Sequence, residues 1–387
     1  TGFGRSGDTL ATVDGVRALG VEIEWLGEDE LVVHGAGLRG LRAPDDPLDA
    51  GNSGTGMRLL SGLLAGQDGA FVLDGDRSLR ARPMDRIVEP LRAMGATIAA
   101  REDRFPPLSI VGGPLTAITY RPPVASAQVK SCVLLAGLLA EGETVVVEPV
   151  ASRDHTERML AAAGAALDRR GDEVAVRGAR HLGLDRVVVP GDASSAAFLV
   201  AAALLVPGSH LRITDVGLNP SRLGFYEVVR RMGATVDWTV TDEDGGEPRG
   251  ELEVKASALH GTTVPATETP SLIDEVTLLA LLGCFAEGET VVAGVADLRH
   301  KESDRLAAVV AVIESLGGVA EADRDELRIV PSALRGGAVS SLGDHRLAML
   351  GAVAGLVCPQ GVTVRGFSAA AVTFPDFTST LAEVLSS

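Results

Sequence analysis

Aromatic side chains make up only 3% of this 387-residue chain, and lysine is almost missing. Of the 35 basic residues three are lysine (Lys130, Lys255 and Lys301), which leaves 32 arginines. A GC-rich genome accounts for that bias, yet a scarce lysine inside a charged motif, Lys301 above all, gains weight. Cysteine is sparse too: Cys132, Cys284 and Cys358 stand far apart in apolar surroundings. An odd count without ligand spacing argues against a zinc site and reads as reduced core thiols in a cytoplasmic protein. No apolar run reaches the length needed to cross a bilayer, and the start does not resemble a signal peptide, so no membrane partner is expected. Positive charge is also in deficit. A formal net charge of −17 argues against nucleic acid, whose binding needs a basic surface.

What is present is a 46% hydrophobic chain whose core is built from Ala, Leu and Val. It is too long for one ordinary core, so two domains are expected. The sequence repeats itself. One phrase is an amphipathic helix ending in Gly before an alternating strand: Val16–Gly20, Leu91–Gly95, Leu160–Gly164, Val229–Gly233 and Ile313–Gly317, with a sixth helix, Phe377 to Leu385, lacking its strand. The terminal Gly suits a left-handed C-cap. A second phrase is a nearly all-apolar helix, then a Gly-containing turn and a β-branched strand, as in Leu134–Leu139 before Gly142–Val147 and Leu278–Leu282 before Gly288–Val292. Helices apolar on every face are buried, here between sheets. The buried phrase occurs five times, beginning near Ser53, Ser126, Ala193, Ser271 and His345. The unequal counts predict a further buried helix upstream of Thr1. Six α+β units predict two domains of three units each, 1–190 and 191–387, with a ligand cleft between them.

Charged motifs gather at the starts of these helices. The loop Gly51-Asn52-Ser53-Gly54-Thr55-Gly56 leads into an apolar helix, where close backbone approach and helix N–H groups suit an anion, although a plain loop and cap reads equally well. It is neither a Walker loop nor a dinucleotide fingerprint. Arg80–Pro83, Ser126–Ser131 and Ser152–His155 follow in the first half; Ser271–Glu275, Arg299–Arg305 and Asp344–Arg346 lie in the second. Asp274, opening a buried helix, is either a cap or a general base facing a cleft. Lys301, Glu302 and Arg305 put two cations and a proton donor within one helical turn, unless they form a solvated ion-pair helix. Arg346, at the mouth of an apolar helix, is costly to bury without an anion. His155, His300 and His345 lack metal spacing and read as supporting or capping groups. Together Arg82, Arg153, Lys301, Arg305 and Arg346 predict a small substrate, or substrate pair, carrying several negative charges, since guanidinium forks suit carboxylate and phosphate.

On Gly51–Arg58, Arg82-Pro83-Met84, Ser126–Ser131, Arg153–Glu157, Lys301–Arg305 and Asp344-His345-Arg346, the chain resembles the 5-enolpyruvylshikimate-3-phosphate synthases (3-phosphoshikimate 1-carboxyvinyltransferases) of the enolpyruvyl transferase family, from about Ser6 to Phe377. The sister branch acting on UDP-N-acetylglucosamine fits less well, because neither its reactive-cysteine loop nor a nucleotide pocket is found. The resemblance implies an α/β (α+β) fold of two inside-out α/β barrels, each of three βαβαββ units with buried helices surrounded by sheets. It implies a monomer that transfers the enolpyruvyl group from phosphoenolpyruvate to the 5-hydroxyl of shikimate 3-phosphate, releasing phosphate, with no metal and no organic cofactor. By the same match Ser126, Ala127, Gln128, Arg153, Asp274 and Lys301 hold shikimate 3-phosphate. Gly54 with its neighbour Thr55, Arg82, Gln128, Glu302, Arg305 and Arg346 hold phosphoenolpyruvate. Asp274 accepts the hydroxyl proton, and Glu302, with Lys301, supplies the proton to the methylene carbon. The branch with naturally glyphosate-tolerant members is the nearest in wording, and Gly54→Ala is expected to crowd glyphosate more than phosphoenolpyruvate. Two departures stand out. The Lys-Ser motif that opens the family's first buried helix is absent from this chain, which leaves a non-catalytic, anion-binding homologue as the alternative. Val372 stands where part of the family has lysine.

Overall fold

The computed structural model describes residues 1–386. Eleven α-helices occur among them: α1 (Gly7–Ala18), α2 (Gly54–Ala65), α3 (Asp85–Ala93), α4 (Ala127–Gly137), α5 (His155–Ala162), α6 (Ala193–Leu205), α7 (Gly224–Arg231), α8 (Val276–Cys284), α9 (Arg305–Ser315), α10 (His345–Gly355) and α11 (Phe377–Ser386). The two repeating phrases alternate along this series. Helices α1, α3, α5, α7 and α9 each run into a glycine two residues past their last helical residue. Those glycines, Gly20, Gly95, Gly164, Gly233 and Gly317, all adopt positive φ between 84° and 108°, the left-handed step that lets the chain reverse into a strand. Helices α2, α4, α6, α8 and α10 are the apolar ones, and α6 and α8 bury nearly every residue.

Three four-stranded sheets share one topology. In each, a short strand pairs in parallel with a central strand, and a hairpin then adds its second strand antiparallel to that centre. The first sheet joins Leu48–Asp49, Gly69–Asp74, Phe105–Gly112 and Thr97–Arg101. The second joins Thr119–Tyr120, Glu143–Val147, Glu173–Arg177 and Leu167–Arg170. The third joins Thr263–Val264, Thr290–Ala293, Glu326–Val330 and Val319–Ala322. Parallel neighbours need a crossover, and each crossover is one of the apolar helices: α2, α4 or α8. The chain order is therefore βαβαββ, three times over. A fourth, near-complete copy replaces its first strand by a single parallel bridge, Gly191 to Val216, across α6. The parallel pair Gly337–Ser340 and Val362–Arg365 brackets α10. Each of the three sheets is separate; hydrogen bonding closes none of them into a continuous barrel among the described residues.

The chain divides into two compact units: Thr1–Val189 with Asp244–Gly246, and Pro190–Glu243 with the residues from Glu247 onward. Each has its own core. In the first, α2 packs against α4, so closely that a Cβ at Gly62 would lie 2.3 Å from the Cys132 carbonyl oxygen. In the second, α6, α8 and α10 pack against one another. All three cysteines are buried free thiols, and burial pushes Cys132 and Cys284 up to about 12, far from reactive thiolates.

Candidate active site

In the first unit the candidate side chains stand at the N-termini of α2 and α4 and in the segments that lead into α3 and α5. The Ser53 hydroxyl accepts the Gly56 N–H at 3.0 Å, so the cap reading of the glycine-rich loop holds. Gly54 has a different use. A Cβ there would lie 2.8 Å from Nη1 of Arg82 and 2.9 Å from Nη1 of Arg58, so glycine gives two guanidiniums room at the helix end. Arg82 is buried and donates to the side-chain oxygen of Asn52 at 3.0 Å, while the Asn52 amide donates to Asp76 at 2.7 Å. Arg58 links three segments. It donates to the Gly54 carbonyl at 3.2 Å, to the Pro83 carbonyl at 3.1 Å and to Oε1 of Gln128 at 2.7 Å. The Gln128 amide in turn donates to the Thr55 hydroxyl at 2.6 Å. Thr55, Gln128, Gly54 and Arg82 thus form one group, with Arg58 at its centre.

Ser126 caps α4 and accepts the Val129 N–H at 3.4 Å, and Ala127 is the first helical residue. Two residues beyond Gln128, the Lys130 side chain is fully buried. Its ammonium lies 3.0 Å from Glu148 and 2.7 Å from Glu157 and donates to the Ser152 carbonyl at 3.4 Å. Burial outweighs the lysine beside it and raises the carboxyl of Glu157. Arg153 follows Ser152 in the same loop and is half-buried.

In the second unit the structure brings Asp274, Lys301, Glu302, Arg305 and Arg346 together. The helix begins later than the sequence suggests: Glu275 is the N-cap of α8, and Asp274 lies in the turn before it. The capping alternative for Asp274 therefore falls away. Its carboxylate instead accepts from Lys301 Nζ at 3.2 Å and from Arg305 Nη1 at 3.4 Å. Lys301, Glu302 and Arg305 are also not one helical turn. Lys301 ends a short 3-10 segment, Asp304 caps α9, and Arg305 is the first residue of that helix. The irregular stretch points Lys301 at Asp274, while Glu302 pairs with Arg305. Arg305 is 1% exposed. Burial works against its charge, but Asp344, Glu302 and Asp274 outweigh that and hold the guanidinium above its ordinary range. Asp344 is itself fully buried, accepting from Arg305 Nε at 2.9 Å and from Ser303 at 3.1 Å. Arg346 donates to the Asp274 carbonyl at 3.0 Å and reaches Glu275 at 3.5 Å. Glu275 also takes the Ser194 hydroxyl and faces Arg222. His345 opens α10 behind the Asp344 cap; burial, and then Arg346, push it down to about 4, so it is neutral at physiological pH.

Sequence reasoning gave no role to Arg58, Asn52, Lys130, Glu275 or Asp344. The available signal was a lone charge opening or interrupting an apolar stretch, true of Arg58 between Met57 and Leu59 and of Lys130, which with Ser131 precedes Cys132–Leu135. A buried charge in such a run must find polar partners.

The sequence profile of EPSP synthase (3-phosphoshikimate 1-carboxyvinyltransferase) matches residues 1–381. The 3-phosphoshikimate 1-carboxyvinyltransferase of Acidithiobacillus ferrooxidans is 48% identical over 370 residues, covering 96% of this chain and 85% of that protein. The protein of the same name from Desulforudis audaxviator is 48% identical over 383 residues, covering 98% and 89%. Among solved structures, EPSP synthase from Acinetobacter baumannii superposes with a TM-score of 0.86 at 42% identity, covering 99% of this chain and 88% of that one. The enolpyruvyl transferase NikO from Streptomyces tendae shares the fold at a TM-score of 0.75 and 20% identity, covering 98% and 87%.

Proposed function

The chain belongs to the EPSP synthase (3-phosphoshikimate 1-carboxyvinyltransferase) family, and from that premise we propose how its two groups of residues divide the work. The reaction is the transfer of the enolpyruvyl group from phosphoenolpyruvate to the 5-hydroxyl of shikimate 3-phosphate, with release of phosphate. The comparisons favour this over transfer to UDP-N-acetylglucosamine. Shikimate 3-phosphate is held by Ser126, Ala127 through its backbone, Gln128 and Arg153 of the first unit, and by Asp274 and Lys301 of the second. Phosphoenolpyruvate is held beside Gly54 and Thr55 by Arg82 and Gln128, and by Glu302, Arg305 and Arg346. Both groups act on the same pair of molecules.

The observation that carries this reading is the carboxylate of Asp274 held between Lys301 and Arg305. In the addition step the 5-hydroxyl oxygen bonds to C2 of phosphoenolpyruvate, its proton passes to Asp274, and Glu302 delivers a proton to C3. In the elimination step C3 gives a proton back, the C2–O bond to phosphorus-bearing oxygen breaks, and phosphate departs with the proton from Asp274. The carboxylate and phosphate charges persist throughout, so fixed guanidiniums such as Arg82, Arg305 and Arg346 stabilise them without reorganising. Phosphate release from phosphoenolpyruvate must require shikimate 3-phosphate, and Asp274→Ala should lower kcat by about 10²–10⁴. Release unaffected by that change would remove Asp274 from the base role. The enzyme acts as a cytoplasmic monomer, a reading supported by its acidic charge and free thiols; sedimentation at the mass of one chain tests it.

A further inference from the structure

Lys130 is among the largest fully buried side chains of the protein, yet the reaction above gives it nothing to do. It sits on α4 one turn from Ser126 and two residues from Gln128. Its ammonium turns away to Glu148 at 3.0 Å, Glu157 at 2.7 Å and the Ser152 carbonyl at 3.4 Å. Glu148 completes the grip, since the same Oε1 also accepts the Ser152 N–H at 3.0 Å and the Ser152 hydroxyl at 2.5 Å. Arg169 approaches the pair from the outside, 3.6 Å from Glu148 and 3.9 Å from Glu157. On the far side of Arg153, the Thr156 and Ser131 hydroxyls share a hydrogen bond of 2.6 Å. The loop is therefore tied to α4 on both sides of Arg153.

Burying a lysine and two carboxylates is expensive, and apolar residues of similar volume would fill the space with equal or better stability. What an ion cluster adds is a fixed geometry. Here the fixed quantity is the placing of Arg153 relative to Ser126, Ala127 and Gln128. We propose that Lys130, with Glu148 and Glu157, is a positioning set for shikimate 3-phosphate. It locks the Ser152–Arg153 loop onto α4 so that Arg153 and the Ser126–Gln128 segment address one ligand before that ligand arrives. This rests on the assignment of those residues to shikimate 3-phosphate. Preorganisation of this kind raises affinity by sparing the ligand the work of ordering the loop.

The test is a double-mutant cycle on full-length protein, read by calorimetric titration with shikimate 3-phosphate alone. The variants are Lys130→Met, Arg153→Ala and the two combined, each with its melting temperature recorded. Lys130→Met should weaken binding about tenfold or more, while in the Arg153→Ala background the same change should cost less than about threefold. The KM for phosphoenolpyruvate should move far less than the affinity for shikimate 3-phosphate, a split that general loosening would not produce. Additive losses, or unchanged affinity in Lys130→Met, would overturn the positioning role. If Arg153→Ala alone leaves affinity intact, it is the underlying assignment of Arg153 that fails. Should Lys130→Met not fold, Glu148→Gln, which keeps the shape and the acceptor for the Ser152 N–H, must show the same coupling to Arg153, and its absence is equally fatal.

Discussion

At the scale of single residues, Gly54 is a position where one added methyl meets two guanidiniums at once. The Cβ of alanine would push on Arg82 and Arg58 together, at 2.8 and 2.9 Å from their nearest nitrogens. The sequence suggested only that glycine leaves room beside a ligand; the structure identifies two guanidiniums as the occupants of that room. Steady-state kinetics of Gly54→Ala should give a raised KM for phosphoenolpyruvate and a larger rise in the glyphosate inhibition constant. Equal shifts would mean the two displaced arginines, not crowding of the longer molecule, account for the whole effect. His345 offers a pH test. Its folded-state value of about 4 lies below the ordinary 6.5, so between those values the unfolded chain binds a proton that the folded chain does not. Its contribution is intact above about pH 6.5 and is lost as pH falls toward 4, at up to about 1.4 kcal/mol per pH unit. Urea unfolding of His345→Gln should show a shallower fall across that window than the parent; parallel curves would refute it.

At the scale of elements, most of what matters was readable. Five of the amphipathic helices run into a glycine because the chain must turn left-handed there, and that demand is local, so Gly20, Gly95, Gly164, Gly233 and Gly317 mark it in the sequence. The apolar helices were equally plain, since burial on every face leaves no polar stripe. Two local readings failed for a common reason. Asp274 lies just before the N-cap of α8, and Lys301 and Glu302 lie in an irregular stretch before α9, because their pairing is tertiary: Asp274 accepts from Lys301 and Arg305, and Arg305 is anchored on Asp344. Pairings across 27 to 39 residues of sequence leave no periodic trace. The α2–α4 contact is another such feature. Gly62→Ala drives a methyl into the Cys132 carbonyl and should cost about 1–3 kcal/mol, the usual penalty of overpacking. Urea denaturation would report it, and an unchanged midpoint would mean that the helices can part without loss.

At the scale of the whole molecule, the repeat was the strongest statement the sequence made. A βαβαββ order occurs three times with one sheet topology, and a fourth copy keeps all but its first strand. A repeating pattern is legible because every copy must bury the same kind of helix against the same kind of sheet. The candidate site was legible in part: its arginines and acids could be named, but not the pairing of Arg346 with buried Glu275 or of Arg305 with buried Asp344, which depends on three-dimensional neighbours alone. The central claim is that residues of both units serve one pair of substrates. Calorimetric titration of the unmutated protein with shikimate 3-phosphate, alone and at a saturating concentration of an unreactive phosphoenolpyruvate mimic, tests it most directly, because no turnover consumes the ligands and every proposed contact is intact. The account predicts that the mimic tightens shikimate 3-phosphate binding about tenfold or more; the same affinity in both titrations would contradict it.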